Sequence, residues 1–178
     1  MTLRTTKYKF LLQQYKNRIY SYSKLLLKNN MDADDVTQEV LIRIWQNMEE
    51  FNVLKARAWI MRTTHNLCMD YLRKRTRTYK NEAFMDEGFI ENYPDSDTKG
   101  NPFTSVHLCS VNERINEALK RLPENLQSVF ILYELQGLKY KEISECLDIP
   151  VNSIKVYLLR ARKKLQEDLR QYVTNEVI

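Results

Sequence analysis

The sequence predicts an all-α fold: two small helical modules joined by an acidic flexible linker, an expectation carried by three observations. Turn formers are scarce, because 178 residues hold only three glycines and four prolines, too few for a many-stranded sheet and suited to long uninterrupted helices. Apolar residues recur at three- and four-residue intervals along most of the chain and lose that period over residues 81–105. Charge is divided the same way: residues 1–80 carry 16 Lys and Arg against 7 Asp and Glu, residues 81–105 carry 1 against 6, and residues 106–178 carry 11 against 10. A basic block, an acidic connector and a near-neutral block with one local basic helix suggest two polyanion-contacting modules joined by a segment that avoids polyanions.

Composition excludes several classes. The 43% hydrophobic content is ordinary for a soluble globular protein. Cys68, Cys109 and Cys146 are odd in number and far apart, and His65 and His107 are the only histidines. Neither a disulfide framework nor a close-spaced metal site follows from them, and free thiols fit a reducing cytoplasm. His65 and Cys68, one helical turn apart, read as a surface imidazole and a buried thiol. No run approaches the roughly 20 apolar residues of a membrane span, and MTLRTTKYKF has no apolar signal core. The chain has no Gly-rich phosphate loop, no paired carboxylates in an apolar setting and no nucleophile beside a base, so no catalytic residue, cofactor or small-molecule substrate is expected.

In chain order, Tyr8, Leu11 or Leu12, Tyr15, Ile19, Tyr22 and Leu26 set a first long helix over residues 7–28. Asp32 can cap a second helix, with Asp34 and Asp35 in its first turn, where the helix dipole favours acids. Its apolar side is Val36, Val40, Leu41, Ile44 and Met48, with Trp45 nearby. Asp35, Gln38, Glu39 and Gln46 then form an acidic-polar strip inside a basic block; a solvated face and a protein-docking surface both fit it. Residues 55–80 carry eight Lys or Arg and one acid, Asp70. Trp59, Ile60, Thr63, Leu67 and Tyr71 trace a buried stripe there, leaving Arg62, Asn66, Asp70, Arg73 and Arg77 near a common polar face. Cations interleaved with aromatic and amide groups suit phosphates together with unstacked bases.

Residues 81–105, with Gly88, Gly100, Pro94 and Pro102, read as a linker able to span up to ~3.3 Å per residue. Helical period resumes with Leu108, Val111, Ile115, Ala118, Leu119 and Leu122. Pro123 opens a further helix with Leu126, Val129, Phe130 and Tyr133 inward, and Gly137 suits the left-handed position closing it. The stretch KYKEISECLDIPVNSIKVYLLRARKKL, 139–165, follows. Tyr140, Ile143 and Leu147 mark a short helix stopped by Asp148-Ile149-Pro150, and Asn152 can cap the next. Ile154, Leu158, Ala161 and Leu165 share the buried stripe of that second helix, while Lys155, Val156, Leu159 and Arg160 fall on or near its opposite face. A plain helical hairpin and a DNA-reading helix-turn-helix share this spacing. Small Ser144, the plug of Ile149 and the cations Arg160, Arg162, Lys163 and Lys164 favour the second.

DADDVTQEVLIRIW at 32–45, AWIMRTTHNLCMDYLRKRTR at 58–77, LKRLPENLQSVFILYELQGL at 119–138 and the 139–165 stretch together resemble the extracytoplasmic-function (ECF) group of bacterial RNA polymerase sigma factors, of the sigma-70 family, over nearly all of residues 7–168. The resemblance implies a sigma-two-like domain at 1–80, an acidic linker at 81–105 and a sigma-four-like helix-turn-helix domain at 106–178. It implies that Asp35, Gln38, Glu39 and Trp45 dock on core RNA polymerase. It implies that Arg62, Asn66, Asp70 and Arg73 engage the minus-ten element, the loop before Trp59 holding a flipped base, which offsets the unstacking cost of a few kcal/mol. Ser153, Lys155, Val156, Leu159, Arg160 and Lys164 would meet the minus-thirty-five element. Promoter DNA and core polymerase are the implied partners, with an anti-sigma factor as a further one. Against the family pattern, Asp148 stands where the inter-helix turn usually has Gly, a position Asp tolerates. Val156 and Tyr157 replace a common Ser-Arg. A stand-alone helix-turn-helix regulator is the alternative reading; it accounts for residues 106–178 and leaves the acidic strip and the basic 55–80 helix idle.

Overall fold

The structure, a computed structural model, describes residues 3–49, 56–82 and 105–175. Among these are seven α-helices and no strand: α1 (Leu3–Leu27), α2 (Asn30–Gln46), α3 (Ala56–Glu82), α4 (Ser105–Arg121), α5 (Glu124–Phe130), α6 (Tyr140–Leu147) and α7 (Val151–Asn175). None of them is long and apolar enough to cross a membrane. The expected linker lies outside the described residues except at its ends, where α3 closes and α4 opens. The loop before Trp59 is likewise outside them up to residue 55, as are the side chains at 107–109 and Val111.

The first helix buries Leu11, Tyr15, Ile19, Tyr22 and Leu26 at the expected spacing. Its end differs from expectation. Lys28 takes a left-handed φ of 55°, and Asn29, not Asp32, caps α2, its side-chain oxygen accepting the Asp32 amide at 3.0 Å. Asp32 instead pairs with Arg75, whose guanidinium also donates to Leu27 O at 2.9 Å. One α3 cation thus holds the C-terminus of α1 and the first turn of α2 together, as helix-end electrostatics favour.

The inward face of α3 is wider than the predicted stripe and rotated from it. Ile60, Met61, Thr64, Leu67 and Cys68 are buried, whereas Trp59, Thr63 and Tyr71 are only half-buried. The reason is a second neighbour, since α3 packs on α1 and α2 and also on α6 of the C-terminal half. A single apolar cluster accordingly runs from Leu11 and Ile19 through Ile60 to Val129, Leu132, Ile143 and Leu158. A smaller one joins Ala118, Leu119, Leu122, Leu126, Ala161 and Leu165, with Leu25 of α1 against it.

After Phe130 the α5 helix widens into a π-helical turn over Ile131–Leu135, closed by Gln136 N donating to Ile131 O at 2.9 Å. Gly137 follows at φ +64°, the left-handed position expected of it. This widening brings Gln136 to the N-terminal half, where its carbonyl accepts from Arg57 and its amide donates to Arg18 O at 3.4 Å. Two further bonds satisfy helix ends across the same seam. Gln127 Nε2 donates to Leu25 O at 3.0 Å near the end of α1, and Lys28 Nζ donates to Lys120 O at 2.6 Å near the end of α4. Both glutamines are buried, and each such bond contributes about 1 kcal/mol net.

Replacing Gly137 by Ala tests this seam. An added Cβ would stand 3.4 Å from Arg57 Nη2 at a φ that L-residues rarely adopt, so the variant is expected to lose about 1 kcal/mol in urea unfolding.

Candidate docking and nucleic-acid interfaces

The N-cap at Asn29 and the apolar stripe Val36, Val40 and Ile44 orient α2 so that Asp35 and Gln38 are exposed and Glu39 is partly so. Glu39 accepts from Arg43 Nε at 2.8 Å, one turn on. The same outer face carries Met31, 78% exposed, and Ile42, 50% exposed. Sequence reasoning missed both, although they lie four residues before and seven after Asp35 and off the core stripe. Trp45, 39% exposed, is anchored at one edge. Its ring meets Tyr8 edge-on at 5.1 Å, and the Arg4 guanidinium lies 4.7 Å above it. The face thus combines exposed carboxylates with exposed aliphatic groups and one anchored aromatic ring.

On α3 the burial of Ile60, Thr64 and Leu67 turns Arg62, Asn66, Asp70 and Arg73 outward, and all four are exposed. Arg73 pairs with Asp70 at 3.2 Å, which fixes the guanidinium on this face at little energetic gain, as expected of an exposed pair. Arg62 lies near Cys146 of α6, whose thiol is pushed up to about 12 by burial, partly offset by that cation. Cys68 is buried as expected and is likewise pushed up to about 12 by desolvation, eased by its contact with Ser23 at 3.5 Å. Neither thiol is poised as a nucleophile.

His65 is not the surface imidazole expected from sequence. It is largely buried, its Nδ1 2.9 Å from the Tyr22 hydroxyl, and desolvation with the nearby Arg73 charge lowers its pKa to about 4. With Met69 it lines a cavity of about 410 Å³ facing Ser128 of α5, Leu147 and Ile149 of the inter-helix turn, and Tyr157 of α7. Burial likewise holds the Tyr22 hydroxyl well above its ordinary value.

The helix-turn-helix forms by local chemistry. Lys139 N donates to Glu142 Oε2 at 2.7 Å at the start of α6, and Ser144 Oγ donates to Ile149 O at 2.7 Å across the turn. Asp148 takes φ 56° and ψ 44°, so the left-handed turn survives without glycine. Asn152 is not the cap of the next helix: α7 begins at Val151, directly after Pro150. Ile154, Leu158, Ala161 and Leu165 are buried, Lys155, Val156, Leu159, Arg160 and Lys164 are exposed, and Ser153 is half-buried. Arg162 turns aside, its Nε donating to Glu134 at 2.9 Å beside the stacked Tyr133 and Tyr140 rings.

Residues 11–78 match the family model for Sigma-70 region 2, and residues 112–165 that for Sigma-70, region 4. The ECF RNA polymerase sigma factor SigW of Bacillus subtilis is 31% identical over 160 residues, which cover 88% of this chain and 85% of SigW. The chain belongs to the ECF sigma factors. The ECF RNA polymerase sigma-E factor of Haemophilus influenzae is 30% identical over 92% of the chain and 87% of its own length. SigE of Mycolicibacterium smegmatis is 28% identical over 91% of the chain, which spans 61% of that relative. Among solved structures, the sigma factor RpoE of Bartonella quintana, in complex with the anti-sigma factor NepR, is similar at a TM-score of 0.74 and 21% identity, covering 92% of this chain and 97% of that one. CnrH, in complex with the cytosolic domain of CnrY, follows at a TM-score of 0.65 and 18% identity over 94% and 90%. This ECF sigma factor therefore shares their all-α fold.

The buried imidazole of this sigma factor makes its stability depend on pH. Unfolding restores His65 to its ordinary 6.5 from about 4, so the unfolded chain binds the extra proton between those values and stability falls as pH drops from 6.5 towards 4. The loss approaches about 3 kcal/mol below pH 4. Urea titrations across that window are expected to show a shallower decline for His65→Asn than for the parent.

Proposed function

We propose that this sigma factor binds core RNA polymerase and directs promoter-specific initiation of transcription in the cytoplasm, without catalysis of its own. The observation that carries the reading is the simultaneous exposure of three chemically distinct faces: acidic-apolar on α2, cationic-polar on α3 and basic on α7.

Each face has one role in this reading. The sigma-two-like domain, residues 1–80, docks on core polymerase through Asp35, Gln38, Glu39, Ile42 and the anchored Trp45. Arg62, Asn66, Asp70 and Arg73 engage the minus-ten element and hold it unpaired, cations taking phosphates and Asn66 a base edge. The sigma-four-like domain, residues 106–178, sets α7 in the minus-thirty-five major groove with Ser153, Lys155, Val156, Leu159, Arg160 and Lys164 towards the DNA. Residues 81–105 link the two. An anti-sigma factor is a further partner, by analogy with the complexes of RpoE with NepR and of CnrH with the cytosolic domain of CnrY.

Two variants separate the roles. Asp35→Lys with Glu39→Lys is expected to weaken core-polymerase binding roughly tenfold or more, with unchanged helical circular dichroism. Equal affinity in a pull-down titration would move docking elsewhere. Lys155→Ala with Arg160→Ala is expected to lower run-off transcription from a cognate promoter roughly 10- to 100-fold while leaving core binding intact. A stand-alone regulator would instead bind its duplex equally well without polymerase.

A further inference from the structure

Two aliphatic side chains occupy the part of α7 that faces away from the protein. The buried stripe Ile154, Leu158, Ala161 and Leu165 sets the opposite side, which by helical spacing carries Asn152, Val156, Leu159, Arg160 and Lys163. Val156 is 43% exposed and Leu159 68% exposed. Tyr157, between them, turns to the core clusters and the cavity beside His65, so it shields neither. Single exposed aliphatic residues are ordinary on protein surfaces. These two are neighbours at i and i+3, sit within the first nine residues of the helix, and are framed by exposed Lys155, Arg160, Lys163 and Lys164.

That frame selects the occupant. Four cations around the pair fit phosphates, and the leading half of the second helix in a helix-turn-helix is the part that reaches base edges. On the floor of the major groove the one apolar group is the C5 methyl of thymine. Neither Val156 nor Leu159 can donate or accept a hydrogen bond, so a methyl is the partner their chemistry fits. Side chains at i and i+3 stand about 5–6 Å apart, which matches one or two base-pair steps of about 3.4 Å.

We infer that Val156 and Leu159 read thymine methyl groups in the upstream promoter element, making two neighbouring A·T pairs a specificity determinant of this sigma factor. The inference rests on the promoter-binding reading above and adds the bases to it.

The test uses holoenzyme assembled from core polymerase and the full chain, selecting from promoters randomised in the upstream element. Recovered elements are expected to carry thymines, on either strand, at two positions no more than two base pairs apart. Replacing each by deoxyuridine deletes only the methyl and is expected to weaken binding about threefold to fivefold per site. The Val156→Ser, Leu159→Ser double variant, which replaces both aliphatic groups by small polar ones, is expected to bind thymine and deoxyuridine templates equally. Lys155→Ala should weaken both and remain methyl-sensitive. Deoxyuridine templates bound as tightly as thymine ones by the parent, or methyl sensitivity persisting in the double variant, would overturn the inference and leave the sigma reading standing. Recovery of no promoter at all would overturn both.

Discussion

The structure depends on α3 being packed on two sides at once. Ile60, Thr64 and Leu67 close the N-terminal three-helix unit, while His65 and Met69, farther round the helix, face α5, the inter-helix turn and α7. Only the remaining arc is free for Arg62, Asn66, Asp70 and Arg73. Arg62 and Arg73 share that arc, whereas Arg57 and Arg75 of the same helix turn towards Gln136 O, Asp32 and Leu27 O. The packing that stabilises α3 thus also decides which of its polar side chains face outward.

The α2 face follows a different logic. Its acids alone would be unremarkable, because carboxylates near a helix start are favoured by the dipole. Met31 and Ile42 change its character, since aliphatic groups beside exposed carboxylates give a surface with both a desolvatable centre and a charged rim. The anchoring of Trp45 by Tyr8 and Arg4 gives that surface a fixed edge.

Much of this architecture was legible from residue spacing. The stripes of α1 and α7, the outward direction of Lys155 and Arg160 and the left-handed Asp148 and Gly137 all follow from rules that operate within one turn of helix. What spacing did not disclose depends on partners distant in the chain. His65 reads as a surface imidazole until Tyr22 of α1, 43 residues earlier, meets its Nδ1 at 2.9 Å. Gln127 and Gln136 look like ordinary polar residues until the ends of other helices reach them. The cap of α2 lies three residues before Asp32 and the residue entering α7 two before Asn152, because Asn29 offers its own side-chain oxygen and Pro150 presets the backbone entering α7. Met31 and Ile42 lie off the core stripe, and spacing alone does not separate them from the polar residues around them.

The seam between the two halves is joined by side chains donating to carbonyls that helices leave over at their ends: Leu25 O takes Gln127, and Lys120 O takes Lys28. Such carbonyls would otherwise be satisfied by solvent, so parting the halves hands each one to water instead of stranding it dry. These bonds accompany the continuous apolar cluster that runs from Leu11 and Ile19 through Ile60 to Val129, Leu132, Ile143 and Leu158, so that the polar clasp sets the alignment of the two halves and the shared core holds it.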